Sequence, residues 1–168
     1  MIQLWVNLPK QHKMTPPRYQ TLSKEQMGHV DLPDQGGTVR IIAGEFDGVK
    51  GPARTFTPVH LFDITFKAHG KARFAQLASF NTAILVLSGK VKFNDTELAS
   101  EGDFILFNNE EGDILLEGTT DHAMVIVLSG QPINEPMVQY GLFVMNSKEE
   151  IKQAYEDFQA GKLGNPDF

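Results

Sequence analysis

The chain has 168 residues and no cysteine, so it is long enough for one ordinary domain and cannot form disulfide bonds or thiolate metal sites. Its net charge is −6, and the segment 94–121 holds nine carboxylates and no lysine or arginine, which disfavours direct binding to nucleic acid. There is no signal-peptide pattern and no apolar run long enough to span a bilayer, so we expect a cytoplasmic protein without a membrane partner.

The chain opens with the apolar segment MIQLWVNLPK, which contains the single tryptophan. From Val39 onward, short segments rich in valine, isoleucine, phenylalanine and threonine recur, each bounded by glycine, asparagine, aspartate or proline. This pattern is typical of antiparallel strands in a β-sandwich or β-barrel. The predicted strands are 37–44, 57–67, 80–87, 90–93, 104–107, 113–117 and 123–128.

Turn and helix signals complete the secondary structure. The tripeptide Glu-Gly-Asp occurs at 101–103 and at 111–113, and we interpret both copies as turns in which glycine adopts a positive φ and aspartate binds the local backbone. Near the end, Ser147 followed by Glu150 predicts a capping box, and Gly161 predicts the end of that helix. The apolar stripe of the helix, expected to cover a sheet edge or face, consists of Ile151, Ala154, Tyr155 and Phe158.

Two long strings in the sequence resemble a known family. QLWVNLPKQHKMTPPRYQ at 3–20 and QPINEPMVQYGLFVMNSKEEIKQAYEDFQAGKLG at 131–164 are similar to the pirin family, whose members are bicupins with two consecutive barrels in one chain. Strands of a two-sheet barrel followed by one late helix also favour a cupin. The expected fold class is therefore all-β, a cupin-like antiparallel β-barrel or sandwich with one C-terminal α-helix.

The resemblance implies that this chain corresponds to the second half of a pirin. LWVNLP would be the last strand of the first barrel, so we expect residues 1–20 to be an opening strand and linker and 21–168 to be the C-terminal cupin domain. Exposed apolar surface and unpaired strands favour association. We expect Ile2, Leu4, Trp5 and Val6 to form an association surface, in a homodimer or with a partner chain, or to fold back on the chain's own barrel edge.

We expect no metal site in this chain. A metal-binding cupin carries a His-x-His pair, a nearby glutamate and one later histidine, and the resemblance implies that the pirin iron ligands lie in the first barrel. The five histidines here are His12, His29, His60, His69 and His122, and none forms a His-x-His pair. Where the first cupin motif would fall, Lys71 and Arg73 are expected to place positive charge at the metal position.

His60 is the histidine that the strand pattern places among inward residues. In PVHLFDITF, His60 shares one strand face with Phe62, Ile64 and Phe66. One interpretation is a neutral core histidine satisfied by hydrogen bonds. The other is that His60, with Phe62, Arg73 and His122, lines a small-ligand pocket, although His122 in TTDHAM is also explained as a turn residue.

Two functions remain open at this point. The first is a pirin-related cupin module without its own metal site, a binding, regulatory or structural half-domain that is not an enzyme by itself. The alternative, implied by the resemblance, is one part of an iron-dependent, pirin-type quercetin 2,3-dioxygenase whose catalytic cupin half lies on another chain.

Overall fold

The structure is a computed structural model that describes residues 2–163. Residues 18–132 form one compact unit, and residues 2–17 together with 133–163 form another. The strands are β1 (Gly28–Asp31), β2 (Gly37–Ala43), β3 (Glu45–Phe46), β4 (Val49–Lys50), β5 (Val59–Phe66), β6 (Lys71–Gln76), β7 (Asn81–Ser88), β8 (Lys90–Phe93), β9 (Glu97–Ser100), β10 (Phe104–Leu106), β11 (Gly112–Gly118), β12 (Ala123–Gly130), β13 (Val138–Tyr140) and β14 (Phe143–Met145). The helices are the short 3-10 segments Lys10–His12, Lys24–Gln26 and Pro33–Gln35 and the α-helix α1 (Lys148–Gln159).

The larger unit is built from two antiparallel sheets. The six-stranded sheet has the order β1-β2-β5-β12-β7-β10, and the four-stranded sheet has the order β6-β11-β8-β9. The short β3 and β4 form a separate hairpin. This arrangement confirms the expected all-β, cupin-like fold.

Along each strand, every second side chain faces the space between the two sheets, because successive residues of a strand point to opposite faces. The six-stranded sheet contributes Ile41, Ile64, Ile84 and Val127 to a single buried cluster. The four-stranded sheet contributes Val91, Phe93, Ile114 and Leu116 to the same cluster. A one-residue slip of any strand would exchange these residues with the outward set, so the apolar pattern fixes the register.

All seven predicted strands are present, with bounds within about two residues, the usual uncertainty of such assignments. The prediction omitted the short strands β1, β3, β4, β9, β13 and β14 and the six-residue strand β6. Of the two predicted Glu-Gly-Asp turns, the first is confirmed: Gly102 has φ 90° and Asp103 Oδ2 accepts a hydrogen bond from the Ser100 N–H at 2.8 Å. The second is wrong, because Gly112 begins β11 and the Asp113 carboxylate pairs with Arg73.

The smaller unit contains the β13–β14 hairpin and α1. Ser147 caps α1, its Oγ accepting a hydrogen bond from the Glu150 N–H at 3.2 Å. The Glu150 carboxylate accepts from the Asn146 N–H at 2.8 Å, one residue before the position that a capping box requires. Gly161, with φ 70°, follows the helix as predicted.

The predicted apolar stripe of α1 packs on the hairpin. Ile151 and Ala154 are buried. The Tyr155 ring lies 5.0 Å from the Phe143 ring, and the Phe158 ring lies 6.2 Å from it. Within residues 2–163, no helix combines the length and apolar character needed to cross a bilayer.

Candidate binding groove

The His60 imidazole lies among phenylalanine rings on the inner side of β5. Its ring stacks on Phe62 with a centroid distance of 5.6 Å and an interplanar angle of 22°, and it lies 5.3 Å from the Phe80 ring. Gly44, at φ 79°, approaches so closely that an added Cβ would lie 2.4 Å from the His60 Cδ2 atom. The backbone at Gly44 and the two aromatic rings therefore hold the imidazole in one orientation.

The protonation state of His60 follows from this environment. Burial lowers the pKa of His60 below its usual value, because the apolar surroundings disfavour the charged imidazolium, while the nearby Glu45 carboxylate opposes the shift. Burial therefore favours the neutral imidazole of His60. The hydrogen bonds expected of a neutral core histidine are not found: His60 is only partly buried, and within residues 2–163 neither of its ring nitrogens bonds to another protein group.

A groove of about 730 Å³ opens beside His60 in the larger unit. Its lining includes three of the four residues predicted to form a pocket, His60, Phe62 and Arg73. Phe46 and Phe74 add two more rings, with centroid distances to Phe62 of 5.5 Å and 6.5 Å. The groove is thus lined by several aromatic rings and one imidazole, and it is open to solvent on one side.

His122 is not part of this lining. It lies in a turn with φ 57°, its side chain is 85% exposed, and its Nε2 atom is 3.3 Å from the Asp121 carboxylate. Its carbonyl oxygen accepts a hydrogen bond from the Ser88 hydroxyl at 3.1 Å. The structure therefore places His122 as a turn residue, the simpler of its two interpretations.

Lys71 and Arg73 point away from the barrel interior, which corrects the expectation that they occupy the metal position. Their side chains are exposed and pair across to β11, Lys71 with Glu117 at 3.5 Å and Arg73 with Asp113. The residue that alternates with them, Ala72, is buried instead. Period-two alternation puts the apolar residues of β6 inside because that buries the greater apolar area.

The described residues do not offer the donor set that a cupin iron would need. Within residues 2–163, no three histidine, aspartate or glutamate side chains come close enough together to share an ion. His29 and His69 are exposed, each beside one carboxylate, Asp31 at 3.4 Å and Glu117 at 3.2 Å. On the inner faces of β5 and β6 lie one imidazole, phenylalanine rings, Ile64, Ala72 and the Gln76 amide, which do not fit the three-histidine, one-glutamate set.

Comparison with known proteins identifies the family. The Pirin C-terminal cupin domain matches residues 61–164, more than half of the chain. This chain belongs to the pirin family. The resemblance inferred from the opening and closing strings is thereby confirmed.

The relatives that this pirin resembles are longer than this chain. A protein of Pseudomonas aeruginosa named as a candidate quercetin 2,3-dioxygenase is 44% identical over 164 residues, covering 97% of this chain and 56% of the relative. A tomato (Solanum lycopersicum) pirin-like protein is 36% identical, again covering 97% of this chain and 56% of the relative. A crystal structure of quercetin 2,3-dioxygenase from Acinetobacter baumannii has 37% identity and a TM-score of 0.90, covering 96% of this chain and 56% of that one. The chain thus spans little more than half the length of these relatives.

The opening segment of this pirin joins the end of the chain. The Lys10 N–H donates to Glu135 at 2.7 Å, and the Lys13 ammonium donates to Asn7 Oδ1 at 2.6 Å and to the Val144 carbonyl at 3.0 Å. Residues 2–9 belong to no sheet in the structure, so the expected strand is not formed within this chain. A strand needs a hydrogen-bonded neighbour, which the sequence of one segment cannot reveal.

The proposed association residues lie at the surface of the smaller unit. Their exposed fractions are 50% for Ile2, 44% for Leu4, 57% for Trp5 and 50% for Val6. Their exposure is a condition for association and does not by itself demonstrate a partner, so the association surface stays a prediction.

The outer face of the six-stranded sheet is a second apolar surface, and it was not predicted. Its central row runs through Asp63, Ile126, Leu85 and Phe104, which are paired from strand to strand. Phe104 is 59% exposed, and Leu106, two residues along the edge strand β10, is 72% exposed. Antiparallel sheets usually present one solvated, polar face, so these exposed apolar side chains beside the Arg40–Asp63 pair favour contact with another surface.

Two signals in the sequence would have located more of the groove. Phe46 precedes Asp47-Gly48, and both turn residues have positive φ, 48° and 78°, as a two-residue hairpin turn requires. The string KARFAQ alternates polar and apolar residues, which predicts a strand with Phe74 inside. Neither string was interpreted as a strand.

Proposed function

We propose that this pirin chain is a metal-free cupin module, a half-domain that binds or positions another molecule and carries out no redox chemistry by itself. One observation carries the proposal: the inner faces of β5 and β6 beside the groove present His60 as their one imidazole, among Phe62, Ala72 and Phe74. An iron that activates oxygen needs several nitrogen or carboxylate ligands and an open coordination position. A single neutral imidazole among apolar side chains supports binding of a small molecule better than retention of an ion.

Metal-dependent stability tests this proposal. A ligand that binds only the folded state at a thousand times its dissociation constant raises the free energy of unfolding by about 4 kcal/mol. We expect excess Fe(II), added under argon, to leave the urea unfolding midpoint at its value in EDTA. His60→Phe serves as the matched control, because it removes the inward imidazole and should give the same result. An Fe(II)-dependent rise that His60→Phe abolishes would overturn the proposal.

The alternative is one part of a quercetin 2,3-dioxygenase whose catalytic cupin half comes from another polypeptide. Two observations favour it: the relatives with that name are longer than this chain, and the outer face of the six-stranded sheet exposes Phe104 and Leu106. On this alternative, iron is held by the other chain, and this pirin supplies a covering surface.

Association is a further part of the proposal, as a homodimer or with a partner chain through the opening segment. Because Trp5 is the single tryptophan, its emission reports on that segment alone. We expect sedimentation velocity to show association at micromolar concentration with a blue shift of Trp5 emission, and Leu4→Ser/Val6→Ser to weaken both effects. Leu98→Ser is the control, since Leu98 is also an exposed apolar side chain, at 59% against 44% for Leu4 and 50% for Val6, but lies on β9 of the four-stranded sheet.

A monomeric protein with solvent-like Trp5 emission would contradict association through the opening segment. Association that is weakened by Leu106→Ser instead would assign it to the outer sheet face. Cytoplasmic location and the lack of direct nucleic-acid binding stay proposals, supported by the cysteine-free composition and the carboxylate-rich segment 94–121.

A further inference from the structure

The strand β10 forms one edge of the six-stranded sheet, and within residues 2–163 its outer side pairs with no other strand. The Asp103 carbonyl and the Phe107 N–H both form hydrogen bonds with β7, each at 3.0 Å. Along a strand, the backbone groups of successive residues point alternately to its two sides. The N–H and C=O groups of Phe104 and Leu106 therefore point away from β7, where another strand can bond to them.

The side chains hold this edge strand in place on one face and leave it open on the other. Ile105 and Phe107 pack against the buried core between the two sheets. Phe104 and Leu106 lie on the outer face, where they are 59% and 72% exposed. Lysine and proline commonly protect the edge strands of natural proteins, and the string FILF at 104–107 contains neither. An added strand would gain backbone hydrogen bonds together with apolar contacts on the outer face.

Carboxylates flank this edge strand on both sides. Glu101 and Asp103 precede it, Glu110 and Glu111 follow it, and all four residues are exposed. None of the salt bridges within residues 2–163 includes any of these four carboxylates. Opposite charges on paired strands attract each other, so the edge favours a strand that carries lysine or arginine at its ends.

A second copy of this chain fits the same edge poorly. Two β10 strands paired antiparallel about Ile105 would place Glu101 of each copy opposite Asn109 of the other, next to Glu110. Like charges brought together across paired strands destabilise the pairing. A basic strand meets no such repulsion, because the same carboxylates attract it.

We propose that β10 binds an extended peptide segment of another protein, with alternating apolar residues between lysine or arginine residues, as an added strand of the six-stranded sheet. The backbone of the peptide bonds to Phe104 and Leu106, and its apolar side chains contact theirs on the outer face. Its cationic ends lie beside Glu101 and Glu110. The inference rests on the proposed binding function and specifies the class of partner, and it uses no residue of the groove.

The test compares two capped peptides that differ only in charge: Val-Thr-Val-Thr-Val between two pairs of lysines, and the same core between two pairs of glutamates. Each is titrated into the purified full chain in EDTA and followed by ¹⁵N–¹H NMR. We expect the lysine peptide to shift the amide signals of Phe104 and Leu106 and to bind at least about ten times more tightly than the glutamate peptide. Glu101→Gln/Glu110→Gln should reduce this preference. Glu149→Gln/Glu156→Gln, an equal change in net charge on α1, is the matched control and should leave it unchanged.

Two substitutions at one position separate the backbone contribution from that of the side chain. Leu106→Ala and Leu106→Pro both remove the apolar side chain, but only proline lacks the N–H that points away from β7. Edge strands tolerate proline at such a position. Leu106→Pro should therefore bind the lysine peptide about five to ten times more weakly than Leu106→Ala, the effect of one backbone hydrogen bond. Equal affinity of the two variants would overturn the inference.

Equal affinity of the wild type for the two peptides, or shifts that cluster away from β10, would refute it even if Leu106→Pro fails to fold. Self-association of the protein that Leu106→Pro abolishes would assign the edge to a second copy and would refute it as well. Iron content measured on the same preparation separates the two proposals. Absence of lysine-peptide binding in an iron-free protein refutes this inference alone, and tightly held iron refutes the metal-free function alone.

Discussion

The ion pair between Arg40 and Asp63 provides a quantitative test of the outer face of the six-stranded sheet. The two residues are directly paired between β2 and β5, and the Asp63 carboxylate accepts hydrogen bonds from the Arg40 guanidinium, one of them from Nε at 2.7 Å. The Asp63 side chain is 12% exposed and the Arg40 side chain is 30% exposed. The carboxylate is thus nearly buried, with Ile126 as its neighbour across β12.

Arg40→Met removes the partner and leaves the Asp63 charge on an apolar face. Breaking a fully buried pair in this way costs about 3–5 kcal/mol. Because water reaches close to a third of the arginine, we expect a smaller loss in the free energy of unfolding, about 2 kcal/mol. Asp63→Asn keeps an acceptor oxygen for the guanidinium, so it should cost only about 1 kcal/mol.

The single variant Asp63→Leu and the double variant Arg40→Met/Asp63→Leu complete a double-mutant cycle with Arg40→Met. Replacement of both charges by apolar side chains should restore the free energy of unfolding to within about 1 kcal/mol of the wild type. Urea unfolding of the wild type, Arg40→Met, Asp63→Leu and the double variant, followed by circular dichroism, gives the coupling energy between the two residues. Strictly additive losses would refute the reasoning, because they would mean that the two side chains do not share a poorly solvated environment.

Two further predictions concern local features. Ser147→Ala should lower the free energy of unfolding, measured in urea, by about 1 kcal/mol, because the Glu150 N–H loses its acceptor. The control Ser100→Ala should change it by less than about 0.5 kcal/mol, since Ser100 bonds Asp103 through its backbone. Equal losses in the two variants would contradict the capping role of Ser147. The free energy of unfolding should also fall as the pH drops below 6.5, the ordinary pKa of histidine. Below that pH the unfolded chain binds a proton on His60, whereas burial disfavours this proton in the native state. Above that pH the stability that the neutral, partly buried His60 contributes is fully present. His60→Phe should reduce this slope below about pH 6.5, and an unchanged slope there would contradict the lowered pKa.

The sequence predicts those elements whose apolar residues carry a clear period. The bounds predicted for β8, Lys90–Phe93, agree with the structure, because the apolar residues alternate between two turn signals. The helix α1 is equally well specified, since Ser147, Gly161 and the apolar stripe agree with one another. The two-residue strand β3 is too short to show a period, and in β9 the apolar residues Leu98 and Ala99 are adjacent and do not alternate. The strands with which β3 and β9 pair therefore decide their structure.

The groove was predictable in part. His60 and Phe62 follow from the alternation along β5. The expectation that Arg73 lies in the barrel interior was wrong, because the alternation of β6 directs its side chain outward to Asp113. His122 lies 49 residues beyond Arg73 in the chain, and local patterns do not report which distant turns meet in space. The rings of Phe46 and Phe74 meet Phe62 only after the β3–β4 hairpin and β6 have folded against the six-stranded sheet.

The number of iron atoms retained per chain tests the metal-free account most directly. The purified protein is incubated with excess Fe(II) under argon, desalted and analysed for metal, with quercetin turnover measured on the same sample. Because His60 is the one inward imidazole beside the groove and no three potential ligands cluster within residues 2–163, we expect far less than one iron per chain and no turnover. One tightly held iron per chain, with oxidation of quercetin by this chain alone, would contradict the account.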